Sequence, residues 1–121
     1  MSAPLLHVAD RAAFEASAAD THYAPAAFAD EGFVHCCTPG QLAGVLERYY
    51  RGRDDLVLLL LDADALDAPL RFEDTTGRGE TFPHVYGPLP LAAVRARRPF
   101  ATDADGALRD EGVVAALIAG V

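Results

Sequence analysis

Three of the four histidines fall on short apolar stretches of strand character, and their surroundings are what give this chain its chemistry. His7 lies in the opening stretch Leu5-Leu6-His7-Val8, His35 near the end of Phe33-Val34-His35-Cys36, and His84 between Pro83 and Val85. Side chains alternate faces along a strand, so Phe82, His84 and Tyr86 share one face, and His84 and Tyr86 project as a polar pair. An imidazole titrates near neutrality and can take a proton from a reacting hydroxyl or charge against an anion. His35 directly precedes a helix start, where free N–H groups favour an anion, and Thr38 adds a hydroxyl to the same spot. Arg71 and Glu73 share a polar face of the stretch 69–73 in the same way.

Each of these has a plainer role open to it. A strand histidine is most often a hydrogen-bonded core or rim residue, and Arg71, Glu73 and Glu80 suit solvent. Three histidines in one small domain make burial alone a costly explanation, because each unpaired polar ring is penalised. Other chemistries find no support. Cys36 and Cys37 are adjacent, so they point to opposite faces and cannot bridge without severe distortion. They read as small buried hydrophobes rather than nucleophiles. No Cys-x-x-Cys or His-Glu-x-x-His spacing is present, so no metal site is expected. Ser2 and Ser17 are the only serines, and neither sits in a nucleophile elbow. No glycine-rich dinucleotide fingerprint or P-loop occurs.

The elements that must position these residues follow from local signals. The first strand ends at Asp10, a good N-cap for a helix over 11–16. Residues 20–32 read as irregular, punctuated by Pro25 and Glu31-Gly32. Thr38, Pro39 and Gln41 form a capping-box signature for a helix with Leu42, Val45, Leu46, Tyr49 and Tyr50 on one stripe, stopped by Gly52. The run Leu56–Leu61 is wholly apolar and predicts a central strand buried on both faces. Strands follow over 69–73 and 82–86, separated by a mobile polar loop over 74–81. Pro90 opens one helical turn before a strand over 94–100, and a final helix is expected over 107–119 with Leu108, Val113, Ala116 and Leu117 inward. Arg95, Arg97 and Arg98 read as a solvated strand edge. The order β, α, β, α, β, β, β, β, α predicts an α+β fold rather than a doubly wound one.

The whole chain, residues 1–121, reads as one domain able to fold on its own core. Asp plus Glu number 18 against 10 Lys plus Arg, for a net charge of −8. A field of that sign repels phosphate backbones and anionic lipid, so neither broad nucleic-acid binding nor a membrane partner is expected. The missing disulfide framework, the lack of a signal-peptide pattern and the short longest apolar run together predict a cytoplasmic protein.

The stretches Leu6-His7-Val8, Glu31-Gly32-Phe33-Val34-His35-Cys36-Cys37-Thr38-Pro39, Arg51-Gly52, Asp55-Leu56-Val57-Leu58-Leu59 and Phe82-Pro83-His84-Val85-Tyr86-Gly87-Pro88-Leu89-Pro90 resemble the bacterial family catalogued as domain of unknown function 952. The resemblance runs in order from about residue 5 to residue 100. That family is similar in fold to ADP-ribosyltransferases, especially the NAD-using RNA 2′-phosphotransferases. The resemblance implies two small curved sheets framing a cleft lined by His7, His35, Thr38, His84 and Tyr86. It implies NAD or a related phosphorylated nucleotide as ligand, with ADP-ribosyl or phosphoryl transfer as the activity. His7 would hold a ribose, and His35 with the helix start would hold phosphate. Glu73, in preference to Glu80, would stabilise a ribosyl cation, and His84 or Tyr86 would position or deprotonate the acceptor, with Arg71 beside the ligand. The chain departs from the pattern at Val8, where the related enzymes carry glycine, and at Cys36, where they carry a hydroxyl residue. A non-catalytic small-ligand or interaction module using the same cleft is the alternative, and a metal-free hydrolase with paired histidines a third. The oligomeric state is left open.

Overall fold

The computed structural model describes residues 4–110 and 112–119. Strand β1 (Leu5–Asp10) runs into helix α1 (Arg11–Ala16), and the turn is capped as expected, with Asp10 Oδ1 accepting the Ala13 N–H at 2.9 Å. A short strand β2 (His22–Tyr23) and a single turn α2 (Phe28–Glu31) give structure to a stretch expected to be irregular. Gly32, at φ +79°, closes α2 in the left-handed region and sends the chain into β3 (Val34–His35). A 3-10 turn over Pro39–Gln41 then leads into α3 (Leu42–Tyr49).

The wholly apolar β4 (Leu56–Leu61) is central, as its composition requires. It pairs antiparallel with β1 on one side and β8 (Val94–Phe100) on the other. A second antiparallel sheet runs β3–β6–β5, with β5 over Leu70–Glu73 and β6 over Phe82–Val85. β2 forms a small ribbon with β7 (Leu89–Pro90). The fold is α+β, with several small antiparallel sheets and few helices. One bridge joins the two larger sheets: Leu6 and Cys37 exchange both main-chain hydrogen bonds at 2.8 Å. Beyond it β1 pairs only with β4 and β3 only with β6, so the two strands part.

Alternation along β1 and β4 builds two cores. Leu5, Ala9, Val57, Leu59 and Leu61 face one, with Phe14, Tyr23, Val34, Val85 and Leu89. Leu6, Val8, Leu56, Leu58 and Leu60 face the other, with Leu42 and Leu46 of α3. Cys36 joins the first core and Cys37 the second, on opposite faces as adjacent strand residues must be.

Two local expectations change. The last helix, α4, covers only Val113–Ala119. Ahead of it Asp110 caps the turn, its Oδ1 accepting the Gly112 N–H at 3.0 Å, while Leu108 is held in a bridge to Thr102. Val113 and Leu117 point inward, whereas Ala116 is exposed. Within the polar loop expected over 74–81, residues 74–79 wind around the Asp74 carboxylate, which accepts the N–H groups of Thr76, Gly77, Arg78 and Gly79. Gly77 and Gly79 supply the positive φ this winding needs. Among the described residues no helix is long and apolar enough to cross a membrane.

Candidate functional site

The register of the β3–β6–β5 sheet decides which side chains meet. His84 on the central strand is paired directly with His35 on one side and Arg71 on the other, so the three lie in one row on one face. Two residues along, on the same face, stand Phe33 and Tyr86 to one side of that row and Glu73, opposite Phe82, to the other. Val34 and Val85, on the opposite face, fill the first core. The face is thus polar and aromatic because the pleat sends the apolar residues the other way.

Glu73 is the centre of the arrangement. Its Oε1 accepts the Tyr86 hydroxyl at 2.5 Å and pairs with His84 Nδ1 at 3.1 Å. These two hydrogen bonds, Tyr86 first and His84 second, hold the Glu73 carboxyl below the ordinary carboxylate range. Tyr86 is shifted upward by the same bond. Phe33 stacks on His84 at 4.2 Å between ring centroids, and the His84 side chain is only 2% exposed. Arg71 lies over the Tyr86 ring at 5.3 Å.

His35 stands 5.1 Å from His84, ring to ring, and is half-exposed. Its Nε2 bonds Glu31 Oε2 at 2.8 Å, an arrangement the left-handed Gly32 makes by folding α2 back onto the strand. His7 takes part through a different route. Cys36 bonds Pro83 of β6 and Cys37 bonds Leu6 of β1, so by alternation the His35 carbonyl points from the sheet toward β1. With the strands parted, no ladder partner is there, and His7 Nδ1 takes that carbonyl at 2.6 Å. Burial drives the His7 pKa down to about 4, so the ring is neutral. Its Nε2 is the one buried side-chain polar atom among the described residues with no partner.

A carbonyl or carboxylate oxygen only accepts, so the bonded nitrogen of each ring carries the proton. All three imidazoles therefore donate through one nitrogen to a fixed oxygen. The other nitrogen is left without a partner: Nε2 of His7, Nδ1 of His35 and Nε2 of His84.

The structure brings His35, His84, Glu73, Tyr86 and Arg71 onto one face. His7 is set apart, its ring on the side of the first core and tied to the rest through the β3 backbone. Thr38 is also apart, its N–H donating to Gln41 Oε1 at 3.1 Å. That bond, with Gln41 N–H on Thr38 O and Leu42 N–H on Pro39 O, uses three of the N–H groups at the helix start. Gln41 Nε2 in turn donates to Thr81 O at 2.8 Å and Glu80 Oε2 at 3.2 Å, which places Glu80 outside the group. Sequence reasoning missed Glu31 and Phe33. The available signal was alternation backward from His35, which puts Phe33 on its face. Burial raises the Cys37 thiol to about 12 and Cys36 further, so both are unreactive. Among the described residues no group of three or more His, Cys, Asp or Glu could hold a metal ion. A concavity of about 350 Å³ lies elsewhere, between α1 and β8, lined by Phe14, Ser17, Leu91, Val94 and Arg97.

The profile of the family described as protein of unknown function (DUF952) matches residues 8–97. A crystal structure of the protein CC0527 from Caulobacter crescentus is similar to this chain with a TM-score of 0.80 and 30% identity, over 94% of this chain and 99% of that one. The solution structure of CC0527 is similar with a TM-score of 0.75 and 29% identity, over 92% and 95%. No curated protein matches. The chain belongs to the DUF952 family.

Proposed function

We propose that this DUF952 chain binds NAD or a related phosphorylated nucleotide where β1 and β3 part and across the neighbouring face of the β3–β6–β5 sheet. The observation that carries this reading is the set of three imidazoles, each with its tautomer fixed and one nitrogen unpartnered. A bare imidazole nitrogen accepts from a hydroxyl, and once protonated it donates to phosphate. A nucleotide offers both groups. The neutral His7 Nε2 suits a ribose hydroxyl. His35 and Arg71 supply charge for phosphate, and the Phe33 and Tyr86 rings supply apolar surface.

For transfer chemistry, Glu73 and His84 form the working pair. Glu73 holds the Nδ1–H of His84, so His84 Nε2 is oriented to take a proton from an acceptor hydroxyl. The ionised Glu73 also offers negative charge to a ribosyl cation. An ADP-ribosyltransferase-like arrangement is part of this proposal, and two small antiparallel sheets meeting at one bridge support it.

A non-catalytic ligand module is the second reading. It is favoured by the exposure of His35 and Glu73, neither of which is enclosed in a way that would exclude water, while His84, the candidate base, is buried beneath Phe33. Thermal-shift titration with NAD, ADP-ribose, nucleotides and sugar phosphates tests both, because a ligand of the folded state raises its stability. One of these compounds should raise the melting temperature, and His84→Gln should abolish that rise. Time-dependent loss of NAD marks transfer, and saturable binding without turnover marks the module. No stabilisation by any of the four classes defeats the proposal.

A further inference from the structure

The four outer edges of the two larger sheets are treated differently. In the β1–β4–β8 sheet, β8 carries Arg95, Arg97, Arg98 and Pro99, like charges and a missing donor that discourage pairing. The β1 edge and the β3 edge meet at the Leu6–Cys37 bridge and the His7 bond. The β5 edge has no such cover. The bonds from Cys36 to Pro83 and from Tyr86 to Pro69 fix the alternation, so Arg71 and Glu73 turn their main-chain groups toward β6. Leu70 and Phe72 turn theirs outward, where no described residue meets them. Phe72 is also 56% exposed, among the largest apolar exposures of the protein.

We infer that the β5 edge is the dimer interface of this protein, taken by a second copy of β5 in antiparallel pairing centred on Phe72. The reason for choosing a second copy is the order of charges. About a twofold axis at Phe72, Arg71 of each copy stands opposite Glu73 of the other, so Arg71-Phe72-Glu73 is complementary to itself, with Leu70 opposite Asp74. The two Phe72 residues become a hydrogen-bonded pair that exchanges both main-chain bonds, and their rings cover each other on the face away from the imidazoles. Arg71 and Glu73 become a non-hydrogen-bonded pair, the closer kind for side chains. The two β3–β6–β5 sheets merge into one continuous sheet. The partner's Arg71 then stands beside the Glu73 carboxylate, so assembly adds a cation to the edge of the imidazole face. This pairing is independent of what that face binds.

Sedimentation equilibrium from micromolar to millimolar protein tests the assembly, with Phe72→Pro as the decisive variant. Proline removes an amide that points away from the β6 ladder and accepts extended backbone, so the monomer's own sheet keeps its bonds. Wild type should be dimeric, and Phe72→Pro should weaken association by about a hundredfold or more, from lost main-chain bonds and lost aromatic cover. Phe72→Glu should do the same without touching the backbone. Arg71→Glu should weaken association most at low salt, because it sets like charges opposite each other. Circular dichroism and denaturant midpoints at low concentration check that each variant is folded. A wild-type protein that stays monomeric at millimolar concentration overturns the inference, as does a dimer indifferent to folded Phe72→Pro and Phe72→Glu.

Discussion

The β1–β4 pair serves two cores with the same alternating strands, yet the two sides hold different kinds of residue. On the α3 and α4 side, Leu6, Val8, Leu56, Leu58 and Leu60 meet Leu42, Leu46, Val113 and Leu117. On the other side His7 sits between Leu5 and Ala9 along β1, with Tyr23 at 6.0 Å and an unpartnered nitrogen at full burial. An orphan nitrogen is a cost no purely structural core needs to carry. The side that holds His7 thus gives up some stability to an orphan nitrogen while its ring ties down the His35 carbonyl, and the leucine side carries no such orphan among the described residues. Tyr23 fits that division: burial, then Asp10 and Tyr50, push its hydroxyl up to about 12.

Weakening the leucine side alone should have the greatest effect on stability. Leu46 and Leu58 are both fully buried. Leu46→Ala or Leu58→Ala is expected to cost about 2 to 5 kcal/mol in denaturant unfolding, from lost transfer free energy and the cavity left behind. The thermal-shift response to any ligand identified for the imidazole face should persist once the lower baseline is allowed for. If either variant stays folded but loses that response, the two sides are not separable.

His7 gives the next largest effect, and it is a dependence on pH. Its folded pKa is about 4 against an ordinary value of 6.5, with burial the largest cause. The folded state therefore resists a proton that the unfolded chain accepts. The stability from keeping His7 neutral is fully present above about pH 6.5 and is lost as pH falls toward 4, by roughly 3 kcal/mol across the window. His7→Gln keeps a donor for the His35 carbonyl and cannot titrate. Its stability should fall less steeply than that of wild type between those limits, and parallel curves would mean that His7 is not held neutral.

Much of this fold is legible in the sequence because its signals are local. Asp10 caps α1, Pro39 and Gln41 open the turn before α3, and the run Leu56–Leu61 can only be a strand buried on both faces. His84 and Tyr86 sharing a face follows from alternation alone. What alternation does not supply is the partner strand. That Glu73 lies against His84 and Tyr86 depends on β5 pairing with β6 in one register, and His35 meets His84 because β3 takes the other edge. The tie from His7 to the His35 carbonyl depends on where two sheets part, and no spacing in the sequence encodes that. The final helix is shorter than its pattern suggests: Leu108 continues the apolar stripe, whereas Asp110 and the bridge from Thr102 fix the start further on.

The smallest effect concerns the seam between the two regions, which Gln41 spans. Its Oε1 holds the Thr38 N–H at the entry to α3, on the leucine side, while its Nε2 holds Thr81 O at the start of β6, the strand that carries His84. Gln41→Ala removes these two bonds and the one to Glu80 at a partly exposed position and is expected to cost about 1 kcal/mol in denaturant unfolding. Gln41→Glu separates the two ends. A carboxylate still accepts the Thr38 N–H, but it has no donor for Thr81 O and it faces Glu80 in place of the present bond. The glutamate variant should therefore be less stable than wild type near neutral pH and recover part of the difference when acid protonates the new carboxyl. Wild-type stability in Gln41→Glu would show that the cap alone matters at this residue and that the seam to β6 is held elsewhere.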